Sequence, residues 1–215
     1  VKEVNNAAPD KVKKGLANLG RHIENMGKFG VKAVVAINHF PTDTDEEIAL
    51  VKAYCAELNT EAVVAKGFAE GGAGMTDLAN AVVRVADGGE SKFKVLYDLE
   101  LTIEEKIEKV AKEIYRADSV SYSGDAITAL RRINNLGLSK LPVCIAKTQY
   151  SFSDDPTLLA APTGFKITVN DIEIAAGAGF VVPILGKMMR MPGLPEVPAS
   201  EHMDIDSNGV VSGLS

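Results

Sequence analysis

The sequence contains no tryptophan, two cysteines and three histidines among its 215 residues. Cys55 and Cys144 each lie in an apolar run without a second Cys or a His at zinc-ligand spacing, so we interpret both as buried thiols in a reducing compartment. His22, His39 and His202 lie far apart and match no metal-binding motif. The sequence therefore predicts no metal site.

Long apolar runs and an excess of positive charge are also absent. No segment approaches the roughly 20 apolar residues of a transmembrane helix, and the first residues lack the pattern of a signal peptide. We therefore expect a cytoplasmic protein without a membrane partner. The formal net charge is -6, and because a negative field repels phosphate backbones we expect no nucleic-acid partner.

Common catalytic motifs are missing as well. The sequence has no Gly-x-x-x-x-Gly-Lys-Ser/Thr phosphate-binding loop and no nucleophile elbow. Residues 204–209 resemble the first half of a calcium-binding loop, but its last position is Ser215 instead of glutamate, so a turn is the better interpretation. Motifs of this kind predict no catalytic residue.

The apolar residues that are present follow helical and strand periodicities. A helix followed by a short buried strand, repeated along the first 90 residues, is typical of an α/β fold. Helices are predicted at 10–29 and near 125–136. Two more should follow the capping boxes Thr44/Glu47 and Thr102/Glu105, the first with Cys55 and Leu58 on its inner face. A further helix should carry Leu78, Val82 and Val85 on its inner face. Strands are predicted at 31–37, 62–65, 93–97, 143–146, 165–169 and 180–185.

A glycine-rich break at residues 87–91 divides this pattern. We therefore predict an α/β domain over residues 1–90 and a smaller α+β domain over residues 91–215.

Two aromatic residues follow neighbouring predicted strands. Phe40, held by Pro41, comes after the first strand, and Phe68 lies in the glycine-rich stretch 67–74 after the second. Ligands bind at the carboxyl ends of strands in open α/β sheets, so these rings could enclose one flat heterocycle. The alternative, which the local pattern alone favours, is a turn with Phe40 in the core and glycines that serve only the chain reversal.

A third segment follows the predicted strand 143–146. It includes residues 145–149, the turn Asp154-Asp155-Pro156 and the loop Ala161-Pro162-Thr163-Gly164. Backbone groups of such a loop can hydrogen-bond a purine edge without using charge. An ordered surface loop is the equal alternative.

Several strings occur together in an order that resembles one enzyme family. They are residues 15–19 with 22–25, residues 36–38 with 40–44, and residues 192–195 with Pro198 and Ala199. They include the uncommon strings Phe-Pro-Thr-Asp-Thr and Met-Pro-Gly-Leu-Pro. Over its whole length the chain resembles formate–tetrahydrofolate ligases.

The resemblance implies an activity and its substrates. Members of this family make 10-formyltetrahydrofolate from formate, tetrahydrofolate and MgATP through formyl phosphate, and they assemble as homotetramers. It also implies a P-loop NTPase-like parallel sheet with flanking helices, activation by a monovalent cation and no tightly bound cofactor.

The resemblance also implies the roles of individual residues. Phe40, with Asn38 and Pro41 beside it, corresponds to the loop that stacks on the folate pterin. Phe68 occupies the position where relatives have a tryptophan, so weaker or altered folate binding is expected. Residues Ala161, Pro162, Thr163 and Gly164 match the segment that borders the adenine of ATP.

One departure from the family pattern concerns the phosphate-binding loop. In relatives this loop and the basic residues that bind formyl phosphate lie upstream of everything present here, and this chain begins with Val instead of Met. We therefore expect the C-terminal portion of the enzyme, less than half of the family's length and inactive without an upstream half. The alternative is a non-catalytic interaction or oligomerisation module that completes a partner's site.

Overall fold

A computed structural model describes residues 6–147, 151–186 and 196–213 of the chain. The helices are α1 (Pro9–Lys28), α2 (Asp45–Glu57), α3 (Gly67–Glu70), α4 (Thr76–Asp87), α5 (Ile103–Val110) and α6 (Gly124–Asn135). The strands are β1 (Val34–Asn38), β2 (Glu61–Ala65), β3 (Ser119–Tyr122), β4 (Lys166–Ala175), β5 (Phe180–Leu185), β6 (Asp204–Ile205) and β7 (Val211–Ser212). The string at 192–195 and residues Thr148 and Gln149 lie outside the described residues.

The first half of the chain forms a parallel sheet of β1 and β2 with flanking helices. The strands pair in register from Val34 opposite Glu61 to Asn38 opposite Ala65, so both carboxyl ends meet at one edge. The capping box that starts α2 is formed as predicted, with the Thr44 hydroxyl accepting from the Glu47 N–H. The predicted alternation of helix and strand is therefore confirmed here.

The second half contains the apolar core. β3 pairs in parallel with β4, and β4 pairs antiparallel with β5. The capping box of Thr102 and Glu105 starts α5, whose Ile103 and Ile107 are fully buried against this sheet. The chain is thus a mixed α/β protein with parallel strand pairs and flanking helices. No helix in the described ranges has the length and apolar character that crossing a bilayer needs.

Helix α1 joins the two halves through polar contacts. The Arg21 guanidinium donates to the backbone oxygens of Glu113 and Ile114, and the Asn25 amide donates to the Ile114 oxygen at 3.1 Å. Lys28 pairs with the Glu113 carboxylate at 2.7 Å. The bonds from Arg21 and Asn25 satisfy carbonyl groups within the π-helical turn Ala111–Tyr115, which continues α5.

The predicted strand at 93–97 is wrong. The backbone hydrogen bonds of this stretch run from Lys92 and Lys94 to Gly30 and Phe29 at the end of α1, and Phe93 and Val95 are about 70% exposed. The predicted strand at 143–146 forms single bridges from Val143 and Ala146 to β5 instead of a continuous ladder.

Several predicted burial assignments are also corrected. Cys55 is buried as predicted, but Cys144 is exposed because only part of its segment faces β5. Leu58 and Val82 are exposed instead of lying on inner faces, since Leu58 already caps the end of α2. The predicted turn at 204–209 is present between β6 and β7, where Asp206 accepts two backbone hydrogen bonds.

Candidate functional site

A tight turn at the carboxyl end of β1 presents the Phe40 ring. The backbone N–H of Phe40 donates to the Asp43 carboxylate at 2.8 Å, and the Asp43 N–H donates back to the Phe40 carbonyl at 2.9 Å. One residue earlier, the His39 N–H donates to the Ala65 oxygen and extends the pairing with β2. Phe40 is 45% exposed, so the ring lies outside the core.

The glycine-rich stretch after β2 forms two short helical turns. Phe68 lies in the single helical turn of α3, and a second tight turn follows at residues 73–75. The Lys66 N–H donates to the Gly74 carbonyl at 3.0 Å, and a Cβ at Gly74 would lie 2.6 Å from the Lys66 oxygen. The glycine at position 74 is therefore required by the close approach of two backbone segments.

The two phenyl rings face each other across this edge of the sheet. The centroids of Phe40 and Phe68 are 6.0 Å apart and their planes are inclined by 41°. Phe68 is 77% exposed. A flat ring in contact with both would need about 7–8 Å between parallel faces, since stacked carbon atoms approach to about 3.5–4 Å. A small opening and rotation of the two side chains would supply that space.

Other residues around the ring pair are open to solvent. Asn38 is the last residue of β1 and Pro41 begins the turn, and both are exposed. Below the turn, the Glu47 carboxylate accepts from Thr44 and, at 2.7 Å, from the N–H of Ala8 before α1. The hydrogen bonds from Ala8 and Thr44 lower the pKa of Glu47, so its carboxylate stays ionised. The same bonds connect the start of α1 with the start of α2, directly after the Phe40 turn.

The segment predicted to border adenine is attached to α1. The Asn18 amide donates to the Ala160 oxygen at 3.1 Å, directly before Ala161 and Pro162, which are half-buried. Thr163 and Gly164 are exposed, and Gly164 adopts a φ of 73°. The segment therefore presents backbone groups at the surface on a fixed support.

Sequence reasoning missed two parts of this arrangement. It recognised the Phe-Pro-Thr-Asp-Thr string but gave no role to Asp43, whose bond to the Phe40 N–H is local and typical of an Asx turn. It also missed that His22 contacts Phe152, with ring centroids 4.8 Å apart. Only the three-dimensional packing of α1 on the 151–160 segment reveals that contact.

A comparison with protein families supports the resemblance of the sequence strings. The family model described as formate–tetrahydrofolate ligase matches residues 1–215, which is every residue of the sequence. The activity of that family is the ATP-dependent ligation of formate to tetrahydrofolate, a step of one-carbon folate metabolism. This chain belongs to the formate–tetrahydrofolate ligase family.

Proposed function

We propose that this chain is the folate- and adenine-binding C-terminal portion of a formate–tetrahydrofolate ligase, and that Phe40 and Phe68 enclose the pterin of tetrahydrofolate. The observation that carries this proposal is the pair of exposed rings 6.0 Å apart at the carboxyl edge of β1 and β2. Large exposed aromatic side chains are costly to hydrate, so a pair of them at a ligand-binding edge favours a flat ligand.

Asn38 and Pro41 complete the folate side of this site. Pro41 limits the backbone of the turn, which keeps the Phe40 ring at the sheet edge. The Asn38 amide is exposed at the end of β1, where it can donate to and accept from the polar edge of a pterin.

The loop of Ala161, Pro162, Thr163 and Gly164 supplies the adenine side of the proposed site. Its support is the Asn18 hydrogen bond to Ala160, which fixes the start of the loop without using a charged residue. Exposed backbone groups at Thr163 and Gly164 can pair with the donor and acceptor edge of a purine.

The phosphate chemistry has no candidate in this sequence. Phosphoryl transfer from ATP to formate gives formyl phosphate, and the N10 amine of tetrahydrofolate then displaces phosphate from the formyl carbon. Both steps need cationic or N–H donors around the phosphate, and the sequence contains no phosphate-binding loop. We therefore propose that an upstream half supplies a P-loop NTPase-like sheet and binds MgATP, that residues 1–90 complete its α/β domain, and that residues 91–215 form the C-terminal domain.

Titration of the purified chain with a reduced folate tests the ring pair. Phe40→Ala and Phe68→Ala should each weaken binding by about 5- to 150-fold, because base–aromatic stacking contributes about 1–3 kcal/mol per ring. Phe93→Ala is the matched control, since Phe93 is nearly as exposed as Phe68 but lies elsewhere. Equal losses in all three variants, or no binding by the unmodified chain, would refute the proposed folate site.

A second candidate function is an interaction module without its own chemistry. The exposed apolar side chains Val82, Val83, Phe93 and Val95 favour it, because such side chains are frequent where proteins contact partners. Addition of the upstream half separates the two functions: the ligase portion should restore ATP-dependent formation of 10-formyltetrahydrofolate. An interaction module should bind the same partner without any gain of turnover.

A further inference from the structure

The sequence contains one Asn-Gly pair, Asn208-Gly209, and the structure places it in the turn between β6 and β7. Both residues are exposed. Among the described residues β6 and β7 pair only with each other, and each strand is two residues long. A hairpin of this size has little stability of its own, so its turn opens readily while the rest of the protein stays folded.

An asparagine side chain can react with the backbone nitrogen of the residue that follows it. That nitrogen attacks the side-chain carbonyl carbon, the bond from this carbon to the amide nitrogen breaks, and ammonia leaves with the proton that the backbone nitrogen gives up. Water then opens the resulting succinimide ring at either carbonyl, which gives aspartate or isoaspartate. A following glycine favours the attack, because it has no side chain in the way and permits many backbone conformations.

The hydrogen bonds of the closed turn oppose this reaction. The N–H of Gly209 donates to the Asp206 carbonyl at 3.0 Å, so the nitrogen that would attack is held in place. The Asp206 carboxylate accepts from the N–H of Asn208 at 2.8 Å and from the N–H of Val210 at 2.9 Å. These residues are all exposed, and water competes for each group. The reaction therefore requires the turn to open, and Asp206 opposes that opening.

We propose that Asn208 is a site of spontaneous deamidation, and that Asp206 limits the rate by holding the turn closed. Isoaspartate at this position lengthens the backbone by one carbon, which shifts the register of the hairpin and breaks the pairing of Asp206 with Val210. Either product adds one negative charge to a chain whose formal net charge is -6. This site does not depend on the folate assignment.

Peptide mapping by mass spectrometry tests the site, after incubation of the full chain at mildly alkaline pH. The peptide that contains Asn208 should gain the mass difference between an amide and a carboxyl group, and it should separate into an aspartate and an isoaspartate form. Peptides with the exposed Asn59 and Asn80 should react more slowly, because the residues after them have side chains. No mass gain at Asn208, or an equal rate at Asn80, would overturn the proposal.

Variants of the turn test the role of Asp206. Asp206→Ala removes the acceptor of two N–H groups and should speed deamidation by about fivefold, as the loss of exposed hydrogen bonds predicts. Ser207→Ala is the matched control and should leave the rate unchanged, because it alters an exposed neighbour and keeps the Asp206 carboxylate. An unchanged rate in Asp206→Ala would contradict the protective role of the turn.

Unfolding the chain gives an independent readout of the same protection. In urea the turn is open in every molecule, so the unmodified chain should deamidate at Asn208 faster than it does when folded, and Asp206→Ala should no longer differ from it. An equal rate in the folded and unfolded chain would show that the turn offers no protection.

Discussion

At the scale of single residues, Phe68 is the more exposed ring of the proposed folate site. Phe68→Trp should tighten reduced-folate binding by about 2- to 12-fold, because a larger ring adds about 0.5–1.5 kcal/mol of stacking. Isothermal titration calorimetry measures the change. Phe93→Trp adds the same ring at a distant exposed site and should have no effect.

Asp43 accepts a hydrogen bond from the backbone N–H of Phe40 and so supports the turn that carries the ring. Asp43→Ala leaves the Phe40 N–H without its acceptor and should weaken folate binding by about fivefold, in line with about 1 kcal/mol for a hydrogen bond of this kind. Asp43→Asn keeps an acceptor oxygen and should restore most of the affinity. If the Asn variant binds as weakly as the Ala variant, negative charge at the site matters and not the turn geometry.

Residue-scale prediction from the sequence succeeded where the information was local. Phe40 and Phe68 could be placed at strand ends because each follows a short apolar run, and the structure brings their rings into contact. The exposure of Cys144 could not be predicted, because it depends on which face of its segment packs on β5.

At the scale of elements, side-chain caps start the two best-predicted helices. Thr102→Ala removes the cap of α5 and should lower the free energy of unfolding by about 1 kcal/mol, as measured by urea denaturation. Thr128→Ala is the matched control. Its hydroxyl bonds the Gly124 carbonyl within α6, where alanine is the better helix former, so stability should not fall. Equal losses in both variants would show that the cap is not the cause.

The elements that sequence reasoning missed have weak local signals. β3 has the sequence Ser-Val-Ser-Tyr and is a strand because β4 pairs beside it, which no local pattern reveals. The 93–97 segment has the opposite property: it is largely apolar, but it runs beside the end of α1 and pairs with no strand in the part of the chain that the structure describes. In both segments the presence or absence of a neighbouring strand, and not the β-propensity of the residues, determined whether a strand formed.

At the scale of the whole molecule, burial of Tyr115 links folding to alkaline pH. Burial, with a smaller effect from Cys144, raises the pKa of Tyr115 from 10.0 to about 12. The unfolded chain therefore loses this proton first, and the stability that depends on the neutral phenol is lost as pH rises from 10 towards 12. Tyr115→Phe should flatten the dependence of unfolding free energy on pH in this window. An unchanged slope would contradict the assignment.

At the level of the whole chain, the formate–tetrahydrofolate ligase family model matches residues 1–215, which supports the proposed folate and adenine contacts. The contacts between the first and second halves of this chain could not be predicted from local patterns, because Arg21 and Asn25 bond carbonyl groups about 90 residues away in sequence.

The most direct measurement is an NMR search for intermolecular nuclear Overhauser effects between a bound reduced folate and side chains labelled at phenylalanine. Cross-peaks from the pterin protons to both Phe40 and Phe68 are the predicted result, with no cross-peak to Phe93. Cross-peaks to Phe29 and Phe152 instead would place the folate between α1 and the 151–160 segment and contradict the proposed site.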